Sequence, residues 1–254
     1  MVYNPRPPAP TAVRAWLDAA LLLKAQGPLS GLMLHVEEPD RFDPQEEAIV
    51  VAVDRFLREH GTHPVSSVSN TIFPAALVRD DGIVGLRERY LEGYRRAMRR
   101  PGQWGRYFHR MVAWPGLDGP VDQIGEIIDM LHEATAPGGR FYENIYEIAL
   151  FDPARDLKKR SNRQCLSFIE LKPSRDGRVH MMAVYRNHFY IQRTLGNLIG
   201  LGRLQAFIAA EAGLSVGTLT IQSTHAEMET RPWSKSAAHA LIDRCARLLQ
   251  ATAA

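Results

Sequence analysis

Four residues in the C-terminal half carry side chains suited to covalent or recognition chemistry. They are Cys165 in QCLSFIEL, Arg186 in VYRN, Asn197 in LGNLIGL and His225 in STHAEM. A cysteine attacks as its thiolate, so the reaction needs a lowered thiol pKa, which nearby cations favour. Lys158, Lys159, Arg160 and Arg163 closely precede Cys165, and Arg186 ends a later strand with Asn187 beside it. The planar fork of Arg186 can pair with two oxygens of an anion at once, and Asn197 can both donate and accept. Each residue also has a purely structural reading. A strand cysteine is commonly a small buried apolar group, Arg186 serves in ion pairs, Asn197 before a helix is an N-cap candidate, and His225 alone reads as structural. The second cysteine, Cys245, sits on an apolar helix face and reads as core.

The elements that must position these residues follow from pattern. QCLSFIEL and VHMMAVYRN read as strands joined by a turn at Asp176-Gly177, which makes a hairpin. GNLIGLGRLQAFIAAEAGL is an apolar helix and VGTLTIQST a further strand. Upstream, Thr11 caps a helix that stops at Gly27-Pro28, with Val13, Trp16, Leu17, Ala20, Leu21 and Leu23 on its apolar face. GLMLHVEE reads as a strand. Asp43-Pro44-Gln45-Glu46 opens a second helix, whose AIVVAV run predicts burial on more than one side. His63 to Asp81 lacks clean periodicity and reads as irregular. GLRERYLEGYRRAMRR is a polar helix with a solvated arginine face, QWGRYFHRMVAWPG an aromatic and basic segment, and VDQIGEIIDMLHEAT an amphipathic helix. NIYEIALFDP is a strand, DLKKRSNR a basic loop, and SKSAAHALIDRCARLLQ a closing helix. This order of elements predicts an α+β fold with residues 11–254 as one domain and residues 1–10 as a flexible or polyproline-like arm.

Composition narrows the function classes. Apolar residues make up 45% and charged residues 23%, ordinary values for a globular protein. A net charge of +3 is too small to imply nucleic-acid binding without a localised basic patch. Two cysteines are too few for a disulfide framework or a zinc site. The proline-rich start lacks the apolar core of a signal peptide, and AWLDAALLL is too short to span a bilayer, so a cytoplasmic protein with no membrane partner is expected.

The order of these pieces resembles the thymidylate synthase and pyrimidine hydroxymethylase superfamily. That family has a catalytic cysteine opening a strand, an Asp-Gly hairpin, a strand ending in arginine, an apolar helix led by asparagine, and a strand delivering a histidine. Here the places are held by Cys165, Asp176-Gly177, Tyr185 to Asn187, Asn197 and His225. WGRYFHRM with VDQIGEIIDML resembles the family's aromatic-glycine segment and Asp-Gln-Ile helix, more loosely. The resemblance implies a thymidylate synthase-like fold, a mixed β-sheet with flanking helices, in a homodimer with sheets packed back to back. It also implies a small pyrimidine-type ligand and methyl or hydroxymethyl transfer to ring carbon C5, with Cys165 adding at C6. Arg186 and Asn187 would bind substrate, Asn197 would read a uracil-type edge, and His225 would hydrogen-bond the sugar.

Several positions depart from the family pattern. The Arg-Thr-Gly phosphate loop and the paired arginines lent by a second subunit have no counterpart. Asn187 stands for a serine, Phe189 for an acid, Arg193 for a glycine, Leu166 for a histidine and Glu227 for a tyrosine. A helix stands where the family has a closing tail. These differences argue against a standard nucleoside monophosphate as substrate and against the usual use of 5,10-methylenetetrahydrofolate. A specialised biosynthetic enzyme is expected; the alternative is a non-catalytic homodimer turned to ligand or protein binding.

Overall fold

The computed structural model describes residues 3–97, 106–160 and 163–250. Arg99 and Arg100 of the polar helix, Trp104-Gly105 of the aromatic segment and Ser161-Asn162 of the basic loop lie outside the described residues.

In chain order, β1 (Asn4–Pro5) precedes α1 (Ala12–Gln26), β2 (Leu29–Val36) and α2 (Pro44–Glu59). The Thr11 hydroxyl accepts the Arg14 N–H at 3.3 Å, and Gly27 ends α1 at φ 81°, as the residue types predict. Leu21 is exposed, so the buried face of α1 is narrower than expected. At the start of α2 the Glu46 carboxylate accepts the Asp43 N–H at 3.2 Å and the Thr11 hydroxyl at 2.5 Å. One buried carboxylate thereby joins the first turns of two helices. In the AIVVAV run Ile49, Ala52 and Val53 are buried but Val51 is 62% exposed, so α2 buries one face only. The proline-rich segment expected as an arm lies along β2, with Arg6 donating its N–H to Met33 and Ala9 its N–H to His35.

The segment expected to be irregular contains α3 (Val65–Ile72) and a 3-10 turn at Ala75–Leu77. Its Ser and Thr content hides a helix whose Val65, Val68 and Ile72 are buried against another helix. Tertiary packing here overrides weak local propensity. Next come α4 (Gly82–Ala97), α5 (Tyr107–Val112), β3 (Trp114–Pro115), β4 (Pro120–Val121), α6 (Gln123–Thr135), β5 (Glu147–Ala149) and α7 (Pro153–Asp156). On α4 only Gly85 and Leu86 are buried, in keeping with a solvated face.

The remaining elements carry the candidate chemistry: β6 (Leu166–Pro173), β7 (Arg178–Tyr185), β8 (His188–Phe189), a π-helical turn at Tyr190–Thr194, α8 (Leu195–Glu211), β9 (Ser215–Glu227) and α9 (Lys235–Gln250). Gly177, at φ 80°, makes the β6–β7 hairpin turn. The main sheet is mixed and has seven strands in the order β1-β2-β9-β7-β6-β5, with β8 also paired to β9. β9 runs antiparallel to β2 and parallel to β7. An α+β architecture with helices flanking a mixed sheet follows.

Side-chain alternation puts Leu32 and Leu34, Met181, Ala183 and Tyr185, and Leu219 and Ile221 on one buried face. Helices α1 and α8 lie against these strands, and α2 and α9 pack beyond them. Helix α8 is buried on nearly every side. It approaches α3 so closely that a Cβ on Gly196 would sit 2.6 Å from the Val68 Cβ. The opposite sheet face carries Met33, His35, Phe168, Met182, Val184, Thr220 and Gln222, all half-buried.

Candidate active site

Cys165 sits at the mouth of β6, and its backbone is held from two sides. The Tyr107 hydroxyl oxygen on α5 accepts the N–H of Cys165 at 3.1 Å and of Leu166 at 3.2 Å. From the other side the Arg186 N–H donates to the Cys165 carbonyl at 2.9 Å. The Arg186 side chain then donates Nε–H to the Gln164 carbonyl at 2.9 Å and an Nη2 proton to the Arg163 carbonyl at 2.8 Å. Helix α5 is anchored by Arg110, fully buried, which donates to Asp156 through both terminal nitrogens and to the Leu150 carbonyl at 2.6 Å. Burial pushes the Asp156 carboxyl up, but Arg110 and Lys159 more than reverse this and hold it well below the usual range. Lys159, expected to favour the thiolate, is thus engaged with Asp156. Arg163 lies over the Phe151 ring, 4.5 Å from its centre.

Two cations act on the thiol. Arg186 and Arg193 both pull the Cys165 pKa down, yet partial burial outweighs them and leaves it above the ordinary thiol value. The expectation of a lowered thiol pKa is therefore not met in this state. Arg193 comes from the π-helical turn, a geometry that is rare and frequent at functional sites. Burial also raises the Tyr107 phenol to about 12, and raises Tyr185 well above its ordinary value.

Next to Tyr185 lies a buried polar group that sequence reasoning missed. The His188 ring stacks on Tyr185 at 4.0 Å with planes 12° apart, and Tyr190 meets it edge-on at 5.8 Å. His188 Nδ1 is 2.9 Å from the Ser223 hydroxyl, and Nε2 is 3.0 Å from Asn197 Nδ2. Burial alone drives the His188 pKa down to about 3, so the ring is neutral near pH 7. The Tyr185 hydroxyl and the Asn187 Oδ1 are buried with no hydrogen-bond partner among the described residues. Such groups cost about 1–3 kcal/mol each when left unpaired in a folded interior. Their concentration beside Cys165 marks this end of the sheet as a place built for something other than stability. The π-turn is itself fixed by the Trp16 indole N–H, which donates to the Tyr190 carbonyl at 2.8 Å. It is also fixed by the buried Glu229 carboxylate, which accepts the N–H groups of Ile191 and Gln192.

No protein-family model matches the chain. Three archaeal proteins that carry the name "Putative thymidylate synthase" match part of it. Those of Methanococcoides burtonii, Methanopyrus kandleri and Methanothermobacter thermautotrophicus are 30%, 30% and 31% identical over 135, 123 and 108 residues. The alignments take in 51%, 48% and 42% of this chain and 54%, 53% and 45% of those proteins. The chain thus spans about half the length of the curated relatives it matches. The relationship is thymidylate synthase-like, and it is distant.

In this thymidylate synthase-like chain, Cys165 and Arg186 are in direct contact, and Tyr185 and His188 link them to Asn197. Asn187 joins the same cluster through its place on the β7–β8 turn. Asn197 lies within the first turn of α8, not at its cap. His225 stands apart: its side chain is 44% exposed, it lies 3.9 Å from Glu227, and it pairs in register with Ser30 of β2. Sequence reasoning passed over Tyr107, and its one available signal was its place in the aromatic segment ahead of the Asp-Gln-Ile helix. Among the described residues no group of three or more His, Cys, Asp and Glu side chains is placed to hold a metal ion. No helix there is long and apolar enough to cross a membrane.

Proposed function

We propose that this chain is a divergent thymidylate synthase-like enzyme that alters C5 of a pyrimidine nucleoside, nucleotide or similar ring, acting as a homodimer. The observation that carries the reading is the convergence of Cys165, its two flanking arginines and the buried Tyr185–His188–Asn197 group at one end of the sheet. The Cys165 sulfur, as thiolate, forms a bond to C6, and the ring's double-bond electrons move to C5 and its neighbouring carbonyl oxygen as an enolate. C5 then attacks an electrophilic one-carbon donor. Loss of the C5 proton and departure of the thiolate restore the ring. Arg186 and Arg193 favour the thiolate and would attract an anionic group on the substrate. Asn197 pairs with the ring edge and Asn187 borders the same site. His225 is too far into solvent to share this role without a rearrangement of β9.

The donor set does not fit 5,10-methylenetetrahydrofolate as the family resemblance implies. Phe189 offers no hydrogen-bonding group where an acid is expected, and Arg193 adds bulk and charge where a glycine is expected. The cysteine chemistry does not depend on which donor is used. The homodimer is supported by the half-buried outer face of the sheet, where Met33, Phe168, Met182 and Val184 are only partly covered.

A test that needs no donor uses 5-bromouridine and its monophosphate with excess dithiothreitol. Addition of Cys165 at C6 lets an external thiol take the bromine, and bromide and uridine form while dithiothreitol is oxidised. Bromide release lost in Cys165→Ala supports the reading. Nucleoside binding without bromide release, unchanged in Cys165→Ala, would favour the second reading, a non-catalytic homodimer repurposed for ligand binding. What favours that second reading is the net upward pull of burial on the Cys165 thiol.

A further inference from the structure

We infer that His188 is a positioning residue that fixes the Asn197 amide in one orientation, so that the site accepts a ring edge of the lactam type (an N–H beside a carbonyl) and disfavours an aminopyrimidine edge. This rests on the proposed pyrimidine chemistry and names the substrate class for the same site.

The argument begins with what the imidazole can do. His188 is 1% exposed and lies between the Tyr185 and Tyr190 rings, where no carboxylate reaches it among the described residues. A charged imidazole there would be poorly solvated, so the ring is neutral and has one N–H donor and one bare nitrogen acceptor. Its two neighbours are Ser223 at Nδ1 and Asn197 Nδ2 at Nε2. Asn197 presents an N–H to Nε2, so Nε2 is the bare acceptor. The ring proton then sits on Nδ1 and is donated to the Ser223 hydroxyl oxygen.

The consequence falls on Asn197. One of its two amide N–H bonds is held by the imidazole, which leaves one N–H and the carbonyl Oδ1. No described residue donates to Oδ1. That remaining pair of one donor and one acceptor complements a ring N–H next to a ring carbonyl. The reversed amide would give Oδ1 to His188 and leave two N–H donors, which suits a bare ring nitrogen and disfavours a ring N–H. The choice between these edges is therefore set by the His188 tautomer, and Ser223 on β9 sets the tautomer. A site that must hydrogen-bond a particular edge rejects the wrong one strongly, because its own buried groups are then left unpaired. The aromatic cage fits this role: Tyr185 covers one ring face of His188 and so blocks rotation of the imidazole.

Two measurements test the inference. Nitrogen-15 NMR of histidine-labelled protein should show a protonated Nδ1 and a bare Nε2 for His188, identified by its loss in His188→Gln; a protonated Nε2 overturns the assignment. The second measurement is protection of Cys165 from iodoacetamide, read by peptide mass spectrometry, with uridine and cytidine as probes. Uridine is expected to protect at about tenfold lower concentration than cytidine, one tenfold step corresponding to about 1.4 kcal/mol. His188→Leu should reduce that ratio to about threefold or less. His188→Gln, whose side-chain carbonyl can still accept from Asn197, should restore most of it. Ser223→Ala, a smaller change, covers the case in which His188→Leu does not fold, and it should also narrow the ratio. An unchanged uridine preference in folded His188→Leu or Ser223→Ala overturns the positioning role, as does a cytidine preference in the parent protein. Failure of both nucleosides to protect Cys165 overturns the pyrimidine reading itself, and with it the substrate class named here, whatever the tautomer.

Discussion

The Arg186 N–H donates to the Cys165 carbonyl at 2.9 Å, while the Arg186 guanidinium holds the two carbonyls that precede it. The arginine expected to activate the thiol therefore also shapes the backbone that presents it. Its removal would disturb both charge and geometry, which makes Arg193 the cleaner probe of charge alone.

Alkylation of Cys165 by iodoacetamide should still be accelerating above pH 9, because burial sets its pKa above the ordinary value despite both arginines. Arg193→Gln should move the inflection to higher pH and slow the reaction at pH 8. Cys245, fully buried with its pKa raised to about 12, should stay unreacted over the same hours. Equal rates at the two cysteines would remove the case for Cys165 as an accessible nucleophile.

Asp156→Asn should destabilise the fold by about 3–5 kcal/mol, since it leaves the Arg110 charge buried without its counter-ion. Urea unfolding followed by circular dichroism measures this. A loss under about 1 kcal/mol would mean that water or another group compensates Arg110. Alkylation of Cys165 should change in the same variant, because Arg110 anchors the helix whose Tyr107 holds the Cys165 amide.

Glu229 and His188 pull stability in opposite directions with pH. Burial raises the Glu229 carboxyl to about 7, above its unfolded value of 4.5. Between those pH values the folded chain keeps a proton that the unfolded chain has lost, so stability falls as pH rises. His188 is depressed to about 3 from 6.5, so the unfolded chain binds the extra proton and stability falls as pH drops below about 6.5. Their effects partly cancel in the parent protein between pH 4.5 and 6.5. Glu229→Gln removes one side of this balance. Its melting temperature relative to the parent should climb steadily from pH 5 to pH 7.5, and a pH-independent difference would show that Glu229 is ionised throughout.

How far the chain could be read from its residues varies by element. Thr11 and the Asp43-Pro44-Glu46 sequence announce two helix starts through local chemistry, and both are found where expected. The Asp-Gly hairpin and the α8 helix were equally legible. Helix α3 was not, because its evidence is the fit of Val65, Val68 and Ile72 against α8, a contact far away in sequence. The candidate site divides in the same way. Cys165 and Arg186 could be found by order and spacing. His188 could not, since its role depends on Tyr185, Ser223 and Asn197 meeting in space, and a histidine in a YRNHFY segment has no spacing signature.

The α3–α8 contact gives its own prediction. Gly196→Ala should cost about 1–3 kcal/mol, because the added methyl would lie 2.8 Å from the Val65 carbonyl oxygen as well as against Val68. Combining it with Val68→Ala should recover part of the loss, and strict additivity in a double-mutant cycle would contradict direct contact.

Light scattering at micromolar concentration should show a dimer for the parent protein. Met182→Glu, on the half-buried outer face of the sheet, should shift it toward monomer with little change in melting cooperativity. A parent protein that is monomeric at these concentrations would count against back-to-back association.

The sheet ends in two very short strands, Asn4–Pro5 at one side and Glu147–Ala149 at the other. Pro5, Pro7 and Pro8 remove backbone donors along the first of these margins, and the second offers only three residues for pairing. Neither margin can template a growing ladder of strands. Fibril-type polymerisation through strand addition is therefore disfavoured even at high protein concentration, and self-association is channelled toward contacts between flat surfaces.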